Sequence, residues 1–135
     1  MTFRSIVCVF ALTALSFSGL NSTAQSDPHP PEPESIQIKL VTLSDILGRA
    51  HYIQVLCNGR SDQFWRDQMS ELLAHEAPKD GPLRRQLIEQ FNTAYSDQES
   101  ALTQCNAAAR SEFSKLADKG RALSESINSL ISNPD

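Results

Sequence analysis

Asn106-Ala-Ala-Ala-Arg-Ser-Glu-Phe-Ser-Lys-Leu-Ala-Asp-Lys-Gly-Arg-Ala-Leu-Ser-Glu-Ser-Ile-Asn-Ser-Leu130 is the stretch that decides the fold class. Its apolar and small positions are Phe113, Leu116, Gly120, Leu123, Ile127 and Leu130. They follow one another at steps of three and four, which lays a heptad seam along one face of a helix. Asn106 is a good N-cap, and the three alanines after it are strong helix formers. Gly120 interrupts the seam at a cost of about 1 kcal/mol in helix propensity, and it leaves room for close helix approach. The seam needs apolar partners, either in the rest of the chain or on a second copy.

The residues before it supply such partners. Leu40, Leu43, Leu47, Ala50 and Cys57 share one helical face. Thr42 with Asp45 resembles a capping pair, so the first helix is predicted to begin near Thr42. Asn58-Gly59 stops it, since both residues tolerate the left-handed conformation that closes a helix. Ile36 to Val41 alternates weakly and reads as an extended lead-in. A second helix is predicted over Asp62 to Ala77, with Trp65, Met69, Leu72 and Leu73 inside. Pro78-Lys-Asp-Gly-Pro82 ends it. Pro82 suits the first turn of a third helix, which carries Leu83, Leu87, Ile88, Phe91, Ala94 and Tyr95. That helix is expected to fade in the polar run Ser96 to Ser100. The prediction is an all-α chain: a small antiparallel four-helix bundle in up-down-up-down order, because short loops favour antiparallel neighbours.

The cysteines refine this picture. Of three, Cys8 lies in a segment that reads as a secretory signal, and Cys57 and Cys105 lie in the body. Met1 to Arg4 carries one positive charge, Ile6 to Phe17 has no charged residue, and Ser22-Thr-Ala24 offers small residues for cleavage. The domains are therefore a signal peptide (1–24), a Pro-rich linker (25–39) and a helical domain (40–132). An exported chain with two cysteines points to one structural disulfide, Cys57 to Cys105, in an oxidising compartment such as the periplasm. The predicted bundle places the end of the first helix and the start of the fourth at the same pole, where the two cysteines meet.

Charge limits the partners. Arg4 leaves with the signal and no acid does, so the mature chain carries 11 basic and 16 acidic side chains, a net charge of −5. That balance argues against binding nucleic acid, which takes a basic surface. No membrane span is expected after signal cleavage, because the apolar run is short for one.

Several segments together resemble a known family. Leu47-Gly-Arg-Ala-His-Tyr52, Leu56-Cys-Asn-Gly59, Asp62-Gln-Phe-Trp-Arg-Asp-Gln-Met69, Glu76-Ala-Pro78 and Phe91-Asn-Thr-Ala-Tyr95, followed by Cys105, look like a family of small exported alphaproteobacterial proteins of unknown function. The resemblance runs from about Leu43 to Leu123. It implies a periplasmic location, supports the cysteine pair, and assigns no catalytic residue.

The residues themselves suggest little chemistry. His29, His51 and His75 stand at no metal-ligand spacing, and there is no Cys-x-x-Cys, no nucleophile elbow and no glycine-rich phosphate loop. Neither a metal nor a cofactor is implied. One cluster gathers near the disulfide pole as a candidate binding patch: His51, Tyr52, Asn58, Asp62, Trp65, Arg66 and Tyr95. Aromatic and Arg side chains in one patch are the makings of a hot spot. The plainer account makes Trp65 and Tyr95 core residues and Arg66 with Asp62 a surface pair at i,i+4. Three readings follow: a non-enzymatic module binding an envelope protein or a small ligand, an enzyme built around His51 and Arg66, or a structural envelope protein without a discrete site. The oligomeric state stays open, since the heptad seam suits a dimer as well as an internal core.

Overall fold

A helix that is apolar on one face lies on a surface, whereas one that is apolar all round lies inside. The first helix, α1 (Pro33–Asn58), comes close to the second kind. Leu40, Leu43, Ser44, Ile46, Leu47, Gly48, Ala50, His51, Tyr52 and Ile53 are all buried, so its middle is covered except along the stripe of Thr42, Asp45 and Arg49. Around it pack α2 (Phe64–Glu76), α3 (Pro82–Ala101) and α4 (Ala107–Ser132). The computed structural model describes residues 33–132. Among these the chain is a helical bundle of four helices without strands. The expected signal peptide (1–24) and residues 25–32 of the expected linker lie outside the described residues.

Helix α1 begins nine residues before Thr42, so residues 33–39 of the expected linker are helical and Ile36 to Val41 is not an extended lead-in. Proline costs nothing at a first helical position, where its missing N–H would have had no partner. Thr42 is therefore not a cap. Its hydroxyl donates to the Ile38 carbonyl at 2.9 Å, one turn back. The Asn58-Gly59 stop holds: Gly59 has φ +95°, and its N–H donates to Val55 O at 2.9 Å. The fourth helix is capped as expected, with Asn106 Oδ1 accepting from Ala109 N at 3.0 Å.

The polar run Ser96 to Ser100 does not end α3, which continues to Ala101. Gln98 explains this, because it points inward, is buried, and accepts from Arg49 Nη1 at 3.4 Å. Arg49 is itself held by Asp45 at 2.9 Å, and Gln90 of α3 donates to the same carboxylate at 3.0 Å. The Arg49 guanidinium is raised above its ordinary value chiefly by its hydrogen bond to Asp45.

Contacts between α1 and α3 climb both helices together: Gln37 with Gln86, Asp45 with Gln90, Arg49 with Gln98, and the Tyr52 hydroxyl donating to Leu102 O. Contacts with α4 run the other way, from Lys39 on Ser126 (2.9 Å) through Ile46 at Gly120 to the Cys57–Cys105 disulfide. The closest backbone packing is between α1 and α3, which are not neighbours in sequence. Among the described residues no close backbone approach joins α4 to α2 or to α3. The bundle is thus three helices around a central one rather than a ring of sequential neighbours.

Gly48 makes this possible. A Cβ there would press on the Phe91 carbonyl oxygen and come within 3.1 Å of Ala94 Cβ, so only glycine lets the two backbones meet. At Gly120, where close approach was expected, a Cβ would meet only Ile46 Cγ2, at 3.3 Å. The heptad seam is used within the chain, with Leu116, Gly120 and Ile127 buried.

Candidate functional site

Three helices around a hub leave grooves between them. The cleft bounded by α1, α2 and α3 measures about 560 Å³. Helix α1 contributes His51 and, one turn on, Val55; the turn and α2 contribute Arg60, Gln63, Arg66, Met69, Ser70 and Leu73; α3 contributes Ile88, Phe91, Asn92 and Tyr95. Its polar lining holds two guanidinium groups and no carboxylate.

His51 forms the inner wall. It is only 6 % exposed, and its ring stacks on Phe91 at 5.8 Å and leans on Tyr95 at 5.5 Å. Its Nδ1 is sealed from solvent and has no hydrogen-bond partner, a costly state for a buried polar atom. Burial, reinforced by the Arg66 charge, pushes the imidazole below its ordinary 6.5, while Asp62 and Asp67 pull it the other way. The ring is therefore neutral at pH 7.

This has a consequence for stability. The unfolded chain protonates its histidine near 6.5, and the folded chain resists until a lower pH. Between those points the unfolded state binds more protons, so stability falls as pH falls; below the folded value both states are protonated and the loss levels off. We expect a lower melting temperature at pH 5.5 than at pH 7.5, and a smaller difference for His51→Phe. Equal pH dependence in the two proteins would show that His51 plays no part.

The seven candidate residues divide into three groups. His51, Arg66 and Tyr95 line the cleft together. Asn58, Asp62 and Trp65 belong to a hydrogen-bonded knot around Gln54. Asp62 Oδ2 accepts from Asn58 Nδ2 and Gln54 Nε2, each at 2.8 Å, and Trp65 Nε1 donates to Gln54 Oε1 at 3.0 Å. These donors, Asn58 first, lower the Asp62 carboxyl below its ordinary range. Tyr52 faces the disulfide pole, where its ring meets Tyr95 edge-on at 5.3 Å.

The knot decides the state of Arg66. The expected surface pair with Asp62 does not form: the two amides hold Oδ2, Oδ1 accepts from Phe64 N at 3.4 Å, and Arg66 pairs with neither. Neither Arg66 nor Arg60 has an ion-pair partner among the described residues. Trp65 is half-buried against Phe113, with ring centroids 5.7 Å apart, and so serves packing between α2 and α4.

Sequence reasoning missed Arg60, Gln63, Met69 in its lining role, Ser70 and Asn92. Helical spacing would have found most of them: Gln63, Met69 and Ser70 stand three or four residues from Arg66, and Asn92 stands three from Tyr95. Among the described residues no three His, Cys, Asp or Glu side chains stand where they would share a metal ion, and no helix is long and apolar enough to cross a membrane.

Residues 36–130 match the profile of a family described as "Protein of unknown function (DUF2385)". The chain belongs to this family. No curated protein and no solved structure matches this DUF2385 member.

Proposed function

We propose that this DUF2385 protein is a non-enzymatic binding module of the cell envelope. It is exported to the periplasm by a cleaved signal peptide, its helices run in up-down-up-down order, and it takes a small ligand into the α1–α2–α3 cleft. The observation that carries this reading is a concave site with two unpaired guanidinium groups at a partly apolar wall. Cavities of roughly 300–1,000 Å³ with a few convergent polar groups are typical of small-molecule sites. Export is supported by the tripartite N-terminal pattern and by a disulfide suited to an oxidising compartment. The enzyme reading draws less support. As a general base His51 would be oriented by a carboxylate on Nδ1, and the near carboxylate, Asp62, is engaged by Asn58 and Gln54.

The test is native mass spectrometry of the mature protein after incubation with the small-molecule fraction of its own cells. Wild type is expected to carry an added small mass that Arg60→Glu/Arg66→Glu loses, with unchanged helical circular dichroism. No adduct on wild type, or the same adduct on both proteins, would refute the cleft as a binding site.

A further inference from the structure

We propose that the cleft selects a small organic carboxylate: one anionic head on an apolar body. This rests on the binding reading above and adds the chemical class of the ligand.

The head group follows from charge. The whole mature chain is acidic, yet the cleft carries Arg60 and Arg66 without a carboxylate among its lining residues. The knot around Gln54 holds the nearest acid away from it, since Asp62 Oδ2 takes the Asn58 and Gln54 amides, Oδ1 takes the Phe64 N–H at 3.4 Å, and Arg66 pairs with neither oxygen. A guanidinium presents a rigid fork of donors that fits a carboxylate, and Arg60 and Arg66 are both exposed at the cleft without an ion-pair partner among the described residues. The net negative charge disfavours polyanions, so the site suits a single head rather than a nucleic acid or an acidic surface.

The body follows from the lining. Val55, Met69, Leu73, Ile88 and Phe91 form an apolar side to the cleft, and inorganic anions have no use for it. Met69 and Leu73 are buried, and Phe91 backs the His51 ring.

His51 is the independent sign of a ligand. It is more than nine-tenths buried, lines the cleft, and has a ring nitrogen that nothing in the chain satisfies. No protein group fixes its tautomer. Because Nδ1 is sealed from solvent, it reaches a carboxylate oxygen only after the ring turns against Phe91 and Tyr95, and the neutral imidazole then offers its N–H.

The experiment is an NMR titration of the mature, disulfide-bonded protein with four probes: 4-phenylbutyrate, 4-phenylbutyramide, 4-phenylbutylamine and inorganic phosphate. The carboxylate is expected to shift the signals of His51, Arg66 and Tyr95 and to bind at least about tenfold more tightly than the other three, and Arg66→Gln is expected to weaken it about tenfold or more. Equal binding of the amide or the amine would overturn the anionic head. Equal binding of phosphate would overturn the apolar body, leaving an anion site alone. A carboxylate that fails to bind, or that binds equally to Arg66→Gln, would overturn the whole inference. The mass-spectrometric adduct reports on the binding reading separately, so an adduct without carboxylate binding removes the ligand class and keeps the cleft.

Discussion

Reducing the Cys57–Cys105 bond is expected to lower the melting temperature of this domain by about 20 °C. The bond spans 48 residues and encloses α2 and α3 entirely. Closing a loop of that length removes about 4 kcal/mol of chain entropy from the unfolded state in the loop-entropy account. For a domain of roughly 100 residues, each kcal/mol moves the melting point by about 4–8 °C. The bond also lies where nothing else fully replaces it. It joins the last turn of α1 to the residue before the Asn106 cap, and α4 packs closely only on α1. The Cα atoms are 5.0 Å apart, within the ordinary range for a bridge, so the folded backbone needs no distortion to accept it. Thermal and denaturant melts with and without reductant measure the effect. The Cys57→Ser/Cys105→Ser variant separates loss of the bond from any other action of the reductant. Superimposable melts would mean that α4 docks unaided and that the bond is incidental to stability.

The second large effect is expected at Gly48. Replacing it by alanine gains about 1 kcal/mol of helix propensity in a helix interior. Against that stands a methyl group driven into the Phe91 carbonyl, with the Phe91 carbonyl carbon at 3.0 Å and Ala94 Cβ at 3.1 Å. A backbone carbonyl cannot swing aside as a side-chain tip can, so α1 and α3 must separate along their most extensive contact. Overpacking commonly costs 1–3 kcal/mol, and backbone displacement belongs at or above the top of that range. We expect Gly48→Ala to lose at least about 3 kcal/mol. Gly120→Ala is the control, because it gains the same propensity and presses on a single side-chain methyl, Ile46 Cγ2 at 3.3 Å, which has to give by only a few tenths of an ångström. It is expected to stay within about 1 kcal/mol of wild type. If the two variants melted alike, the close α1–α3 crossing would not be what the glycine serves.

These two glycines show where a sequence can be read and where it cannot. Periodicity identified four helices, and the caps and stops near Asn106, Gly59 and Pro82 were legible because their chemistry is local. The cysteine pair was legible because its meeting point follows from helix order. Which glycine carries a close contact was not, since that depends on which helix lies opposite. The inner position of α1 was half visible: Ile46, Ile53, Val55 and Leu56 fall outside the single face traced by Leu43, Leu47 and Ala50, and those extra apolar residues are the mark of a buried helix. At the candidate site, residue choice reached His51, Arg66 and Tyr95, which do meet in one cleft. It did not foresee that two amides would meet on Asp62 Oδ2 while Arg66 stays apart, because which side chains reach a carboxylate depends on positions in space.

The central place of α1 also sets an order of events during synthesis. The helix that holds the other three is the first of them to be made, and α4, which covers its Ile46 and Ile53 side, is the last. Long-range contacts of this kind form only after the intervening chain exists. A nascent chain that ends before Ala107 therefore carries its most apolar helix with one flank uncovered, and the fold closes from its C-terminal end. Through most of translation, α1 is the segment that a holding chaperone would meet.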